Sequence, residues 1–464
     1  FYRKARYFHD LVAPCCGGGG MVRKRVLSPI PLFDPESLNK ALSDHDIKLC
    51  HSRSLWKLLL PLLIESSSVE MKDIPDRSDL PFSGIPLALK RLLVSSSKFA
   101  ILTSKVVETQ KSKSTTKLLI RLQDGQLIEA VIIYNQGYNT LCVSSQVGCR
   151  MACTFCATGT LGLLGNLSAG EIVEQLIHAR RVAKIRNIVF MGMGEPLDNY
   201  KAVVSSIRMM TDSHIFRLAP RHITVSTVGV VPRMLQLLTD LPGINFALSL
   251  HAPTQELREK IVPTSKSYTL PKIMNALDRY LAKSKKTRVL IECIVIKDIN
   301  DSIEVAHEFG RLFTETENRR KKLIINFIPY NPTLVDADYE APTRERIHEI
   351  QDLLIHKYDL HVRIRKEMGQ ENQAACGQLA LRKGPCDRGE KINVEAPSPV
   401  EDIEDMIHPA TRSKPPRVKR RTGRKSTSMS RWVSFQNRTA DISPTSWALL
   451  MILPVAMIVA SFWD

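Results

Sequence analysis

The sequence lacks the features by which a secreted protein is recognised. It has no apolar core of signal-peptide length near its start, and its ten cysteines are scattered over 464 residues. A chain of this length does not need disulfide bonds for stability, so the cysteines are not the framework of a small secreted domain. These absences favour an intracellular protein, in the cytoplasm, with the plastid and the mitochondrion left open.

Long hydrophobic runs are also scarce, and the clearest one lies at the end of the chain. Trp447 to Trp463 is 17 residues without a charge, which is the short limit for crossing a bilayer, and Pro454 interrupts it. Two interpretations of residues 447–464 stay open: a C-terminal membrane anchor, or a segment from a wrongly predicted exon. Residues 1–35 are expected to be disordered or transit-like. We expect no other membrane association.

Acidic residues are too few to balance the basic ones. There are 47 Asp and Glu against 65 Lys and Arg, which gives a net charge of +18, whereas 44% hydrophobic and 24% charged residues are ordinary values for a globular protein. Half of the excess lies in residues 409–432, which hold nine Lys or Arg and no acid. We expect a basic disordered tail over 386–446, with a specific RNA-binding or targeting role as the alternative. The charge makes RNA or DNA the first partner to consider.

Several patterns follow one another along the middle of the chain. Residues 36–116 contain apolar helical patterns, one of them broken by Pro61, and predict a small, mainly helical accessory domain. From residue 117, β-rich runs alternate with turn residues as in a hairpin, and β-branched runs then alternate about six times with amphipathic helices. The fold class is therefore α/β, with a parallel sheet of about six βα units over 117–385. Ser168 to Glu171 predicts a capping box on the first of these helices.

Three cysteines, Cys149, Cys153 and Cys156, lie within eight residues between a predicted strand and a predicted helix. Their C-x3-C-x2-C spacing supplies three thiols, whereas zinc sites and ordinary iron–sulfur clusters take four protein ligands. A [4Fe–4S] cluster held by three thiolates leaves one iron open for a substrate or cofactor, and the spacing points to such a site. The structural alternative is three thiols that lie together by chance in a buried loop.

This spacing, with an aromatic residue before the last cysteine, resembles that of radical S-adenosylmethionine (SAM) enzymes, whose fold is a partial (β/α)6 barrel. The segment MGMGEP resembles the glycine-Glu-Pro loop of that superfamily, in which Gly194 and Glu195 would receive the amino group of SAM. Other residues fall at predicted strand ends, where barrel enzymes place ligand contacts. These further candidates for cofactor binding are Ser226, Ser249, Leu250, His251 and Asn331.

Four sequence motifs narrow the resemblance to one family. LCVSSQVGC, MGMGEPL, SLHAP and AACGQL together resemble the RNA adenosine carbon-2 methyltransferases that act on large-subunit ribosomal RNA and transfer RNA. The resemblance covers residues 37–382, weakly before 117 and strongly after it. IPYNP replaces the family's IPWNP and residues 158–167 are more apolar than usual, so the choice of RNA is less defined than the reaction. The alternatives are a carbon-8 or other radical SAM modification of RNA, and an inactive RNA-binding homologue.

The resemblance implies a radical reaction that uses two SAM molecules in each turnover. Carbon 2 of adenine is electron-poor and cannot attack the SAM methyl group as a nucleophile. By the resemblance, Cys376 carries the methyl carbon, Cys142 attacks the Cys376 sulfur and leaves a disulfide, and Glu129 removes the carbon-2 proton. The structural alternatives are a core cysteine at 142 and a solvent-facing strand residue at 129. Three cysteines without such context are expected to be structural: Cys50, Cys293 and Cys386.

The same resemblance implies the cofactors and partners. The cofactors are a [4Fe–4S] cluster and SAM, and an electron donor such as flavodoxin or ferredoxin is needed. The substrate is ribosomal RNA, transfer RNA or both, contacted by the domain at 36–116. Its target base is reached by flipping or in a loop, because pairing hides the edge that carries carbon 2. We expect a monomer.

Overall fold

A mixed ten-stranded sheet forms the centre of the computed structural model. The structure describes residues 25–65, 84–95, 98–283, 288–333, 335, 337–366 and 368–379. In chain order, the strands of these residues are β1 (Ile30–Pro31), β2 (Phe99–Ala100), β3 (Lys105–Lys111), β4 (Thr115–Arg121), β5 (Leu127–Asn135), β6 (Tyr138–Cys142), β7 (Gln146–Gly148), β8 (Leu163–Asn166), β9 (Ile185–Phe190), β10 (Ile223–Thr227), β11 (Asn245–Ser249), β12 (Val289–Val295), β13 (Leu323–Pro329) and β14 (His361–Ile364). The large sheet has the order β14-β13-β12-β11-β10-β9-β6-β5-β4-β3, while β1 pairs with β2 and β7 with β8.

Helices connect the parallel strands of this sheet. In chain order, the α-helices of the described residues are α1 (Pro35–Asp44), α2 (Cys50–Glu65), α3 (Leu87–Ser95), α4 (Ala157–Thr160), α5 (Ala169–Arg180), α6 (Tyr200–Thr211), α7 (Val231–Asp240), α8 (Gln255–Ile261), α9 (Leu270–Lys283), α10 (Ile303–Thr314), α11 (Glu317–Lys322) and α12 (Arg344–Tyr358), with 3-10 helices over Pro220–His222 and Pro263–Lys266.

The strands from β6 through β9 to β14 pair in parallel. Six of them, β6 and β9 to β13, are each followed by at least one helix before the next strand of the sheet, because parallel neighbours need a crossover connection. β12 is buried along its whole length, as expected for a strand covered on both faces. The predicted α/β fold with six βα units is therefore confirmed, and β14 completes the parallel part.

Strands β3 to β6 extend the same sheet as an antiparallel meander. The strand β3 begins at Lys105, twelve residues before the predicted start of the hairpin region, and already pairs with β4. The domain boundaries near residues 116 and 117 remain a prediction.

The capping box predicted at the start of α5 is confirmed. The Ser168 hydroxyl accepts a hydrogen bond from the Glu171 backbone N–H at 3.1 Å, and the Glu171 carboxylate accepts one from the Ser168 N–H at 2.9 Å. Two N–H groups at the helix start, which lack partners within the helix, are thereby satisfied. Glu171 also forms an ion pair with Arg25 at 2.8 Å.

The predicted break at Pro61 is wrong, because α2 runs without interruption through this residue. Pro61 lies on the exposed side of the helix, where its ring meets solvent rather than a neighbouring element. The opposite side of α2 buries Leu55, Leu59 and Leu63 in the main hydrophobic core. Burial of these side chains favours the helix, and it offsets the lost hydrogen bond and the steric clash that a proline introduces.

A buried glutamate on α5 holds the segment between β2 and β3. The Glu174 carboxylate accepts hydrogen bonds from the backbone N–H groups of Thr103 and Ser104 at 2.9 and 2.8 Å, and from both hydroxyls of these residues. Burial raises the pKa of Glu174 to about 7, and these hydrogen bonds act in the opposite direction. The Ser104 hydroxyl also lies 3.0 Å from His178 Nε2.

Several predicted segments lie outside the described residues. They are residues 1–24, Cys386 with the rest of the basic tail at 386–446, and the apolar segment at 447–464. In the ranges that are described, no helix has the length and hydrophobicity of a membrane span.

Replacing Glu174 should destabilise the fold, since Glu174→Leu would leave the donors of Thr103 and Ser104 buried without an acceptor. We expect a loss of about 3 kcal/mol in the free energy of unfolding. Urea denaturation followed by circular dichroism measures it, with Glu345→Leu, on the exposed side of α12, as the control. Equal stability of the two variants would show that Glu174 does not hold this segment.

Candidate active site

Two adjoining cavities lie where the parallel strands of the sheet end. The first, here named the cofactor cavity, is lined by nine of the residues predicted from the sequence: Cys149, Cys153, Cys156, Gly194, Glu195, Ser226, Ser249, His251 and Cys376. The second, here named the thiol cavity, is lined by Cys142, Cys156, Asn331 and Cys376 among others. Cys156 and Cys376 line both cavities. Ligands of barrel enzymes bind at this end of the strands.

The loop that carries the three cysteines connects β7 to α4. Its backbone is fixed by hydrogen bonds from the Cys149 N–H to the Gly162 carbonyl at 2.8 Å and from the Cys156 N–H to the Cys153 carbonyl at 3.1 Å. Thr154 adds a third, donating its N–H to the Ile261 carbonyl at 3.0 Å. The loop is therefore bound to the residue Gly162 that follows α4 and to Ile261 at the end of α8. Its three thiols line one cavity.

The three thiols line one cavity, and three thiolates in one place are what a cluster with one open iron needs. Burial raises the pKa of Cys149 to about 12, and it also raises the pKa of Cys153 and of Cys156. Such thiols stay neutral until a cation close by stabilises the thiolates. The part of the chain that the structure describes has no group of three His, Cys, Asp or Glu side chains placed to hold a single metal ion. Two features of these thiols favour a cluster: the C-x3-C-x2-C spacing and the one cavity that they line.

The glycine-Glu-Pro loop lies directly against the residues that precede the cysteines. A Cβ atom at Gly192 would come within 2.6 Å of the Val143 carbonyl oxygen, and one at Gly194 within 2.8 Å of the Gln146 backbone nitrogen. Gly194 also has a φ of +97°, which favours glycine. Only glycine permits this close contact between the two loops.

Glu195 is held rigidly beside the cofactor cavity. Its carboxylate accepts hydrogen bonds from the backbone N–H groups of Leu197 and Val228, both at 2.9 Å, and its own N–H donates to the Gln146 side chain at 2.9 Å. Burial raises the pKa of Glu195 to about 7, and the hydrogen bonds from these neighbours lower it. The carboxylate is therefore a hydrogen-bond acceptor in a fixed position.

The strand ends of β10 and β11 supply hydroxyl groups and an imidazole to the same cavity. Ser226 and Ser249 lie with their hydroxyl oxygens 3.0 Å apart. His251 Nδ1 accepts a hydrogen bond from the Ile294 N–H at 3.2 Å, and burial lowers the pKa of His251 to about 3. The imidazole is therefore neutral, with its proton on Nε2. Leu250 lines neither cavity, and its carbonyl oxygen accepts from Arg258 Nε at 3.2 Å.

The turn that carries Cys376 is tied to the beginning of α4. The Ala157 N–H donates to the Gly377 carbonyl at 2.8 Å, and the Thr158 hydroxyl donates to the Leu379 carbonyl at 2.7 Å. Asn331 donates from Nδ2 to the Cys376 carbonyl at 3.2 Å. Asn331 therefore contacts the backbone of the Cys376 turn and lines the thiol cavity, but it does not line the cofactor cavity.

Cys142 ends β6 and opens into the thiol cavity with Cys376. Burial raises the pKa of Cys142 to about 12, the charge of Cys376 raises it further, and the charge of Arg365 lowers it. Arg365 lines both cavities. The structure thus brings the two distant thiols into one cavity, 234 positions apart in the sequence.

Glu129 is not solvent-facing, and it lines neither cavity. It lies on β5 with 1% of its surface exposed, and its carboxylate is 3.2 Å from Lys117 Nζ on β4. Val131 pairs directly with Cys142 across β5 and β6, so Glu129, two residues earlier, points to the same face of the sheet as Cys142. Of the other cysteines expected to be structural, Cys293 is buried in β12 and Cys50 is exposed at the start of α2.

Two buried basic residues, Arg258 and Lys117, belong to no sequence motif that predicts a functional role. Arg258 donates to the Val228 and Leu250 carbonyls at 2.5 and 3.2 Å, and so joins the segments that follow β10 and β11. Lys117 has 3% of its surface exposed. The only sequence signal for Lys117 is a lysine within the strand TTKLLIR, where the neighbouring residues predict a buried position.

Comparison with known proteins agrees with this geometry. The Radical SAM superfamily profile matches residues 143–310. The probable dual-specificity RNA methyltransferase RlmN of Pseudothermotoga lettingae is 40% identical over 288 residues, which is 61% of this chain and 81% of that protein. The protein of the same description from Geobacillus kaustophilus is 37% identical over 316 residues, or 67% and 83% of the two chains.

A solved structure extends the agreement to the fold. The crystal structure of a radical SAM methyltransferase from Sphaerobacter thermophilus has a TM-score of 0.65 and 32% sequence identity, and the match covers 76% of this chain and 99% of that one. Relatives above 30% identity are thus matched over four fifths or more of their own length. The chain belongs to the RlmN family of RNA methyltransferases, within the radical SAM superfamily.

Proposed function

We propose that this chain is a radical SAM methyltransferase that methylates carbon 2 of an adenosine in ribosomal RNA, transfer RNA or both. The observation that carries the proposal is the position of Cys376, which lines the cofactor cavity with the three clustered cysteines and the thiol cavity with Cys142. One sulfur atom is thereby accessible both from the cofactor side and from a second thiol. A protein that only binds RNA has no use for this arrangement.

The family implies a [4Fe–4S] cluster and SAM as cofactors. We assign the cluster to Cys149, Cys153 and Cys156, and the amino group of SAM to Glu195. Ser226, Ser249 and His251 line the remainder of that cavity as hydroxyl and imidazole donors. When bound, the cluster and SAM would supply the one-electron chemistry that the reaction needs, namely the loss of a hydrogen atom from a methyl group on Cys376 and the loss of one electron from the RNA adduct.

The residues of the chain then perform two polar steps. Glu129 takes the proton from carbon 2 of the adduct, and the electron pair of that C–H bond restores the aromatic ring. The Cys142 sulfur attacks the Cys376 sulfur, so that an S–S bond forms and the electron pair of the S–CH2 bond leaves with the carbon, which gains a proton to become the methyl group. A Cys142–Cys376 disulfide remains, and it must be reduced before the next turnover.

Further details belong to the same proposal. Two SAM molecules are consumed in each turnover, one to methylate Cys376 and one to provide the radical. An electron donor such as flavodoxin or ferredoxin reduces the cluster, and the enzyme acts as a cytoplasmic monomer. The target adenine is unpaired or flipped out of its helix, because base pairing covers the edge that carries carbon 2.

Each clustered cysteine should be required for the cofactor. Anaerobically reconstituted protein should bind about four irons per chain. Cys149→Ala, Cys153→Ala and Cys156→Ala should each lose the cluster absorbance and the cleavage of SAM to deoxyadenosine, because two thiolates are too few to hold it. Cys50→Ala, at an exposed cysteine of α2, is the control. A single clustered variant with a full complement of iron would contradict the ligand assignment.

Replacing either thiol of the thiol cavity should stop the reaction, but at a different step for each. Cys376→Ala should give neither methylated RNA nor an RNA adduct, because no sulfur is present to carry the carbon. Cys142→Ala should complete the radical addition and stop before release, so that protein accumulates covalently bound to RNA. Denaturing gels of the purified proteins, with and without nuclease, measure the adduct.

Cys293→Val is the control for this pair, since Cys293 is buried in β12 and lines neither cavity. It should turn over without an adduct. Normal turnover by Cys142→Ala, with no nuclease-sensitive band, would contradict the covalent mechanism for this chain.

A further inference from the structure

A buried lysine on β4 touches both Glu129 and the segment that carries Cys376. Lys117 Nζ lies 3.2 Å from a Glu129 carboxylate oxygen and donates to the Gln373 carbonyl oxygen at 3.4 Å. The side chains of Lys117 and Glu129 are 4% and 1% exposed. Removing an ammonium group from water is costly unless other groups compensate it, so such a lysine is kept in place by its partners.

The strand register places this lysine in line with the proposed resolving cysteine. Lys117 pairs with Val131 across β4 and β5, and Val131 pairs with Cys142 across β5 and β6. Residues that pair directly point to the same face of a sheet. Lys117, Glu129 and Cys142 therefore share one face of three neighbouring strands.

The segment before Cys376 packs against the same end of β4. The Thr115 hydroxyl donates to the Asn372 side-chain oxygen at 3.0 Å, and the Asn372 amide donates to the Gln110 carbonyl at 3.1 Å. Gln373, whose carbonyl contacts Lys117, is three residues before Cys376 and has a φ of +52°. The position of this segment is thus defined by β3 and β4, and Lys117 is the charged group at the junction.

We propose that Lys117 is a positioning residue: it holds the Glu129 carboxylate and links it to the Cys376 segment, so that the base is presented when Cys376 carries the RNA adduct. This inference rests on the proposed function, in which Glu129 removes the carbon-2 proton. In this role Lys117 acts only through its contacts and takes no part in the proton transfer. Its loss therefore affects the release of methylated RNA, and not the methylation of Cys376 or the radical addition.

The test uses the full chain with its reconstituted cluster, SAM, a reductant and total transfer and ribosomal RNA from cells that lack this activity. Lys117→Met should keep Cys376 methylation, measured by peptide mass spectrometry, and should accumulate the nuclease-sensitive adduct. Release of methylated adenosine should fall by roughly a hundredfold, the lower range for losing a general base. Lys117→Arg should recover most of the release, because it restores the positive charge.

Two further variants separate positioning from a structural effect. Lys113→Met, at an exposed lysine in the turn between β3 and β4, should behave as the wild type. Lys117→Met/Glu129→Gln should release methylated adenosine no more slowly than Glu129→Gln alone, since the lysine acts through the glutamate. If Lys117→Met does not fold, Lys117→Gln is measured in the same way, and the same outcomes decide.

Three results would overturn the inference. They are normal release by a folded Lys117→Met protein, a parallel loss of Cys376 methylation and adduct in that protein, and additive losses in the double variant. Failure of the proposed function is distinguishable from all three. In that case the wild-type protein itself would release no methylated adenosine, and Cys142→Ala would form no adduct.

Discussion

The contact between the segment after β6 and the loop after β9 determines where the other groups of the site lie. Ser144 is at its centre: its hydroxyl donates to the Glu129 carbonyl at 2.6 Å and accepts from the Met193 N–H at 2.9 Å. Gln146 accepts from the Glu195 N–H at 2.9 Å. Because Gly192 and Gly194 permit the two backbones to touch, one small network holds together the segment that leads to the three cysteines, the glycine-Glu-Pro loop and β5.

A second constraint joins the end of the described chain to this network. The Cys376 turn is more than 200 residues from the three clustered cysteines in sequence, yet the backbone contact between Gly377 and Ala157 places it at the start of α4. Cys376 is consequently one of the residues at which the cofactor cavity meets the thiol cavity. In the proposed reaction, this is the sulfur atom that carries the methyl carbon.

Local sequence patterns predict the parts of the site that depend on local structure. The three cysteines, the glycine-Glu-Pro loop and the capping box at Ser168 each occupy a few consecutive residues, and the alternation of strand and helix predicts the parallel sheet. Tertiary packing decides the remainder. It keeps α2 helical through Pro61, and the register of β4 against β5 places Lys117 beside Glu129. Hydrophobic alternation does not specify that register, so no sequence pattern pointed to the ion pair.

The role of Leu250 also shows why side-chain type is an incomplete guide. Leu250 belongs to the segment SLHAP, but its contribution is a backbone carbonyl that accepts from Arg258. Arg258 in turn holds the Val228 carbonyl, and the Val228 N–H donates to Glu195. The support of the cofactor cavity thus passes through backbone groups that any residue type supplies.

This enzyme methylates carbon 2 of adenosine in RNA. Mass spectrometry of nucleosides from purified ribosomal and transfer RNA, compared between cells with and without the gene, tests this activity most directly. We expect 2-methyladenosine to be present with the gene and to be lost from at least one of the two RNA classes without it. Unchanged 2-methyladenosine in both classes, or a loss confined to 8-methyladenosine, would contradict it.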